Sequence, residues 1–144
     1  MAKTFTPPFV QTPKVTFGTI ATANTAKDGT GAVVCICTAG ADGAKVDQIK
    51  VRGLGTNVAT VLRFFVNNGG VNSTATNNTL VHEVTIPATT VSEISALADI
   101  DVTITKGADV FVPIPYLPAL YKINMTIGTA VAAGLHVTCW SADY

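Results

Sequence analysis

Apolar and polar residues alternate with a period of two through most of the chain, and clusters of Gly, Asn, Asp and Pro interrupt the alternation at intervals of roughly 8–12 residues. That pattern predicts short antiparallel strands. The segment 15–22 is the first, with Val15 and Phe17 on one face, and Lys27-Asp28-Gly29 supplies turn chemistry before the next. Residues 32–38 are almost continuously apolar, which predicts a central strand covered on both faces by a second sheet or a neighbouring subunit. In 45–52, Ile49 and Val51 point inward while Lys50 and Arg52 point outward. Val46 falls out of phase with Ile49, so a bulge or a strand start is expected near Asp47. The alternation is clearest in 60–66, where Leu62, Phe64 and Val66 share one face and Val61, Arg63 and Phe65 the other. With Leu62 and Phe64 in the core, Phe65 needs cover from outside it, and a subunit contact would supply that cover.

Asn67-Asn68-Gly69-Gly70 opens a polar loop that runs to Asn78, and 80–86 follows as a strand. Thr90 with Glu93 has the form of a capping box, and Ile94 and Leu97 lie three apart, compatible with a single helical turn. Further strands are expected at 100–105, 109–114, 122–127 and 135–140. Pro113, Pro115 and Pro118 confine 114–119 to an edge or loop, since proline cannot donate into a ladder. Tyr116, Leu117 and Tyr121 make an apolar surface patch in that segment. On the last strand Leu135, Val137 and Cys139 face opposite to His136, Thr138 and Trp140. Eight or nine strands in one domain predict an all-β, antiparallel, jelly-roll-like sandwich. The domain should occupy 15–144. Residues 1–14 read as an extended arm, because Pro7, Pro8 and Pro13 oppose helix and central strand alike. Within that arm Phe5, Pro7, Pro8 and Phe9 are suited to lie in the grooves of a neighbouring protein.

Composition sharpens this reading. Charged residues make up 12% of the 144, about half the usual share of a soluble domain, and Thr, Asn, Ser, Gly and Ala take their place. Nine basic residues balance nine acidic ones. No counterion-release term is then available for nucleic acid, and little repulsion keeps copies apart, which favours a homo-oligomer. The N-terminus lacks the apolar core of a signal peptide, and no run reaches the roughly 18 apolar residues of a membrane helix. Synthesis in a cytoplasm is expected, with neither membrane nor nucleic acid as partner. Cys35 and Cys37 lie two apart on one strand, an advance of about 6.5 Å with parallel side chains, so the three cysteines should be free thiols. Asn72, Asn77 and Asn124 begin glycosylation sequons, which an Asn- and Thr-rich chain produces by chance.

The supply of reactive groups is thin. A Cys-His nucleophile would have to pair Cys35, Cys37 or Cys139 with His82 or His136, and alternation sets His136 and Cys139 on opposite faces. Cys35-x-Cys37 lacks a second pair at zinc spacing, and Asp28 and Asp42 are turn residues with one carboxylate each. Gly53-Leu54-Gly55 lacks the third glycine of a phosphate loop. The expectation is no enzyme, no cofactor and no metal. Arg52 and Arg63 read as solvated charges or as anchors for a partner's carboxylate. Trp140 and Tyr144 read as a sugar-stacking platform or as interface anchors.

The succession Asn24-Thr25, Asp28-Gly29-Thr30-Gly31, Thr38-Ala39-Gly40-Ala41-Asp42-Gly43, Ile49-Lys50-Val51-Arg52, Val61-Leu62-Arg63-Phe64-Phe65-Val66 and Asn68-Gly69, with the ending Ser141-Ala142-Asp143-Tyr144, resembles small virion proteins of tailed bacteriophages. The segment 90–120 departs from that pattern in its proline content. The resemblance implies a head decoration, or cement, protein of the viral capsid: a structural protein, homotrimeric, bound to the major capsid protein on the outside of the virion. On that reading Phe65, Tyr116, Leu117, Trp140 and Tyr144 are expected at the subunit interface. The alternative is a receptor- or carbohydrate-binding module of a tail fibre or adhesin that uses Trp140, Tyr116 and the Asn-rich loop 67–78.

Overall fold

The computed structural model of the chain describes residues 9–144. The strands are β1 (Thr12–Ile20), β2 (Val34–Thr38), β3 (Ala44–Gly53), β4 (Thr60–Asn67), β5 (Asn78–Ile86), β6 (Ile100–Asp101), β7 (Ile104–Lys106), β8 (Asp109–Phe111), β9 (Tyr116–Leu117), β10 (Lys122–Ile127) and β11 (Leu135–Asp143). One sheet runs β1-β11-β3-β6, with β9 also on β3, and a second runs β2-β10-β4-β5. All named strand pairs are antiparallel.

The topology follows from this order. If β6 and β9 are taken as one broken strand and the β7–β8 hairpin is set aside, eight principal strands remain. They lie 1-8-3-6 in the first sheet and 2-7-4-5 in the second, which is a jelly roll, as the alternation predicts. The core lies between the sheets. Leu62, Phe64, Ile123, Met125 and Ile127 from one side meet Ile49, Val51, Leu135, Val137 and Cys139 from the other, all at 0–1% exposure. The sheets approach closely at the β1–β2 corner, where Gly18 points inward. A Cβ on Gly18 would lie 2.9 Å from Val34 Cγ1 and 3.3 Å from Ile36 Cγ2 and Met125 Cε, so the residue is glycine because another side chain has no room.

Several expectations are met closely. The pairing of β11 with β3 shifts between Trp140 and Ser141, opposite Gln48 and Val46, so Asp47 is the extra residue of the expected bulge. Others need correction. The run in β2 belongs to an edge strand paired only with β10 and not to a central one, while Val34 and Ile36 meet β1 of the other sheet at Gly18. β1 starts at Thr12, before Val15. It too is an edge strand, where the missing amide of Pro13 can be tolerated. Residues 90–98 form bends without a helical turn, and the Ser92 hydroxyl accepts from the Ile94 amide at 3.2 Å.

The largest correction concerns Phe65. It is 0% exposed within the single chain, and the cover comes from the chain's own loops. Residues 24–33 and 68–78 fold over the outer face of the second sheet, and Asn78 ties them down. Its Oδ1 accepts from Asn67 and Asn124, each at 3.1 Å, while its Nδ2 donates to the carbonyls of Asn72 (2.6 Å), Thr74 (2.9 Å) and Gly29 (3.4 Å). Gly29 sits at φ +82, and a Cβ there would lie 2.5 Å from Asn78 Cβ, so the position demands glycine on both counts. Arg63 is inside the same cover. Its Nε donates to Glu83 at 2.7 Å and its Nη1 to the Asn24 carbonyl at 3.1 Å, so it is neither solvated nor free for a partner.

Candidate functional site

Among the described residues, no loop covers the outer face of the first sheet in this way. Register sets nine side chains in a grid there. Val15, Phe17 and Thr19 of β1 stand beside Trp140, Thr138 and His136 of β11, which stand beside Gln48, Lys50 and Arg52 of β3. Val15 and Phe17 are 58% and 67% exposed, because alternation on β1 sends Thr16, Gly18 and Ile20 inward and Val15, Phe17 and Thr19 out. The His136 ring stacks on Phe17 with centroids 5.4 Å apart, and its Nδ1 is 3.4 Å from Thr19 Oγ1. Lys50, Arg52, Leu54, Asp99, His136, Thr138 and Trp140 line a groove of about 360 Å³ on this face. The Asp99 carboxylate, at the entry to β6, is 3.8 Å from Lys50 Nζ and 3.7 Å from Arg52 Nη1.

A second uncovered feature interrupts the edge of the same sheet. The chain pairs with β3 at Ile100–Asp101, leaves as the β7–β8 hairpin, and returns at Tyr116–Leu117 to pair with β3 again. All six strand residues of the hairpin are exposed, among them Ile104, Val110 and Phe111. Gly107 at its tip, φ +66, has no other residue within 4 Å of a built Cβ. An isolated two-stranded hairpin is marginal in water, and apolar residues on both its strands call for a partner.

The residues singled out from the sequence do not form one surface. Phe65 and Leu117, 0% and 3% exposed, belong to the interior. Leu117 points inward beside Ala44, so it packs in the core and cannot anchor a subunit contact. Tyr116 is exposed beside Lys45 on β3, Trp140 lines the groove, and Tyr144 is half-buried with its amide bonded to Gly43. Of the arm residues, Phe9 is 71% exposed, and Phe5, Pro7 and Pro8 lie outside the described residues. In the Asn-rich loop the amides of Asn67, Asn68, Asn77 and Asn78 bond within the chain. Two features went unread in the sequence: the hairpin's separation from the sheet, and Asp99 beside Lys50 and Arg52. The first had a signal in the turn pair Lys106-Gly107 between Ile104 and Val110-Phe111, whereas the second is a long-range juxtaposition.

The cysteines are all free. Cys37 and Cys139 are buried between the sheets, with Cys37 Sγ 3.6 Å from Ser141 Oγ. Hydrogen bonding with Cys37, then burial, holds the Cys139 proton well above the ordinary thiol range. His82 lies on β5, at the opposite edge of the second sheet from Cys37 on β2. Burial lowers its pKa below 6.5, and the neighbouring Glu83 charge partly offsets this. His136 and Cys139 stand on opposite faces of β11, as alternation requires.

Comparison with protein-family models, with curated proteins and with solved structures finds no match to this chain.

Proposed function

We propose that the chain is a capsid decoration protein, which attaches to the major capsid protein on the outside of a virion and works as a homo-oligomer, with a trimer expected. The observation that carries this reading is the β7–β8 hairpin, whose Ile104, Val110 and Phe111 stand in solvent away from the chain's own core. The exposed Phe9 and Val10 ahead of β1 add to the surface that a partner would cover. Jelly rolls occur in viral capsid proteins and in lectins, so the fold agrees with the reading but by analogy alone. The mechanism is mechanical. A contact of about 1,000 Å² or more across a capsomer boundary, anchored by a few apolar side chains, resists separation of the subunits beneath it.

The test is co-sedimentation of the purified chain with capsids of the virus that carries it, alongside light scattering of the free chain. The chain should pellet with capsids at a fixed stoichiometry, and the double variant Val110→Ser, Phe111→Ser should lose at least tenfold in apparent affinity with an unchanged melting temperature. Absence of the wild-type chain from the pellet would overturn the reading. Full binding by the double variant would remove the hairpin from it.

A further inference from the structure

The groove on the outer face of the first sheet has a chemistry that attachment to a capsid does not use. We propose that it is a saccharide-binding site, taking a pyranose ring against Trp140 with its hydroxyls shared among Asp99, Lys50 and Arg52.

Four observations converge on that ligand class. The volume of about 360 Å³ lies at the lower end of small-molecule sites, fitting a short saccharide better than a macromolecular segment. The lining joins one aromatic wall, Trp140, to two cationic donors, an anionic acceptor and the Thr138 hydroxyl. A pyranose presents matching features: an apolar C–H face for the ring, and hydroxyls that both donate and accept. The charged trio is close without being closed, since 3.7 Å and 3.8 Å exceed the 2.7–3.2 Å of a direct hydrogen bond. Adjacent hydroxyls can therefore accept from Arg52 or Lys50 and donate to Asp99 without breaking a tight ion pair. Finally, Lys50, Arg52, His136, Thr138 and Trp140 are strand residues held in register, Asp99 immediately precedes β6, and Phe17 supports His136 from the side, so little backbone ordering accompanies binding.

Other ligand classes fit less well. An apolar ligand would strip water from three charges without replacing it. For a polyanion, Asp99 opposes Lys50 and Arg52 within the groove, and Asp101 stands directly across from Lys50 with its Oδ1 taken by Gln48 at 2.9 Å. The resulting balance of charge suits a neutral polyol.

The chain contains a single tryptophan, so its fluorescence reports on this groove directly. The experiment titrates the isolated full chain, without capsids, with maltotriose, cellotriose, chitotriose, mannotriose and a galactose trisaccharide, using glycerol at equal hydroxyl concentration as control. At least one trisaccharide should give a saturable change in Trp140 emission in the millimolar range. Asp99→Ala and Arg52→Gln, both at exposed positions, should each weaken that response roughly tenfold or more while the thermal melt stays unchanged. No saturable response to any of the five, an equal response to glycerol, or full binding by both variants would overturn the proposal. Because no capsid is present, any of these outcomes leaves the attachment experiment unaffected.

Discussion

On the second sheet, Arg63, Phe65, Asn67 and Asn124 point away from the core and are nonetheless buried, at 0–8% exposure, under loops of the same chain. On the first sheet the corresponding outer positions hold Val15, Phe17, Trp140, Lys50 and Arg52, and no loop of the described residues crosses them. Both faces carry aromatic and charged residues, so composition does not separate them. What separates them is the amide chemistry of the loops. Asn24 donates to the Thr30 and Ala32 carbonyls and shapes one cover, while Asn67, Asn77 and Asn78 bind backbone carbonyls within the other. Side-chain amides that replace water for loop backbone allow a loop to lie on a sheet instead of standing off it. Among the described residues the first sheet has no equivalent, and its outer face stays exposed.

The contrast can be broken at Asn78. Asn78→Ala removes the shared acceptor of Asn67 and Asn124 and three donor contacts to the loops. A loss of about 3 kcal/mol is expected from the unpaired buried amides, which for a domain of this size lowers the melting temperature by about 10 °C. The same variant should expose Phe65 and raise binding of a hydrophobic dye. Arg63→Met is the next largest. It keeps the aliphatic bulk but removes the bonds to Glu83 and to the Asn24 carbonyl, and since Glu83 is partly solvated the cost should be about 2 kcal/mol, measurable by urea unfolding.

A smaller effect is expected at His82. Its pKa is lowered in the folded chain, so the unfolded chain binds the proton first as pH falls below 6.5, and stability declines from there until the folded histidine also protonates. His82→Gln should flatten that part of the stability–pH curve. On the open face the expectation is close to zero: Val15→Ser with Phe17→Ser should change stability by no more than about 0.5 kcal/mol, despite removing two large apolar side chains. A loss like that of Asn78→Ala would mean that the face is a structural surface.

Most of the fold was legible because period-two alternation is a local signal. Leu62, Phe64 and Val66, or His136, Thr138 and Trp140, reveal their shared faces without knowledge of any other strand. The bulge at Asp47 was readable for the same reason, as a phase error between Val46 and Ile49. What alternation could not give is what lies beyond each face. Phe65 and Trp140 look alike in sequence, yet the loops that hold Gly29 and Asn78 come from distant segments to cover the first, and none of the described residues crosses the second. The assignment of Leu117 to a surface patch failed similarly: Pro115 and Pro118 marked an edge correctly, but an edge strand still sends alternate residues inward. The groove was half legible, through Trp140, Lys50 and Arg52 on outward positions. Asp99 joined them only through the path that carries β6 onto β3.

The central claim is that the hairpin and the outer face of the first sheet are this chain's surfaces for others, while the second sheet is closed by its own loops. Cryo-electron microscopy of capsids saturated with the purified chain tests it most directly. The account predicts ordered density on the outer capsid surface, with Ile104, Val110 and Phe111 buried against the capsid protein or a neighbouring copy and residues 68–78 facing away. Capsids left bare, or a chain seated on the capsid through residues 68–78 with its hairpin in solvent, would contradict it.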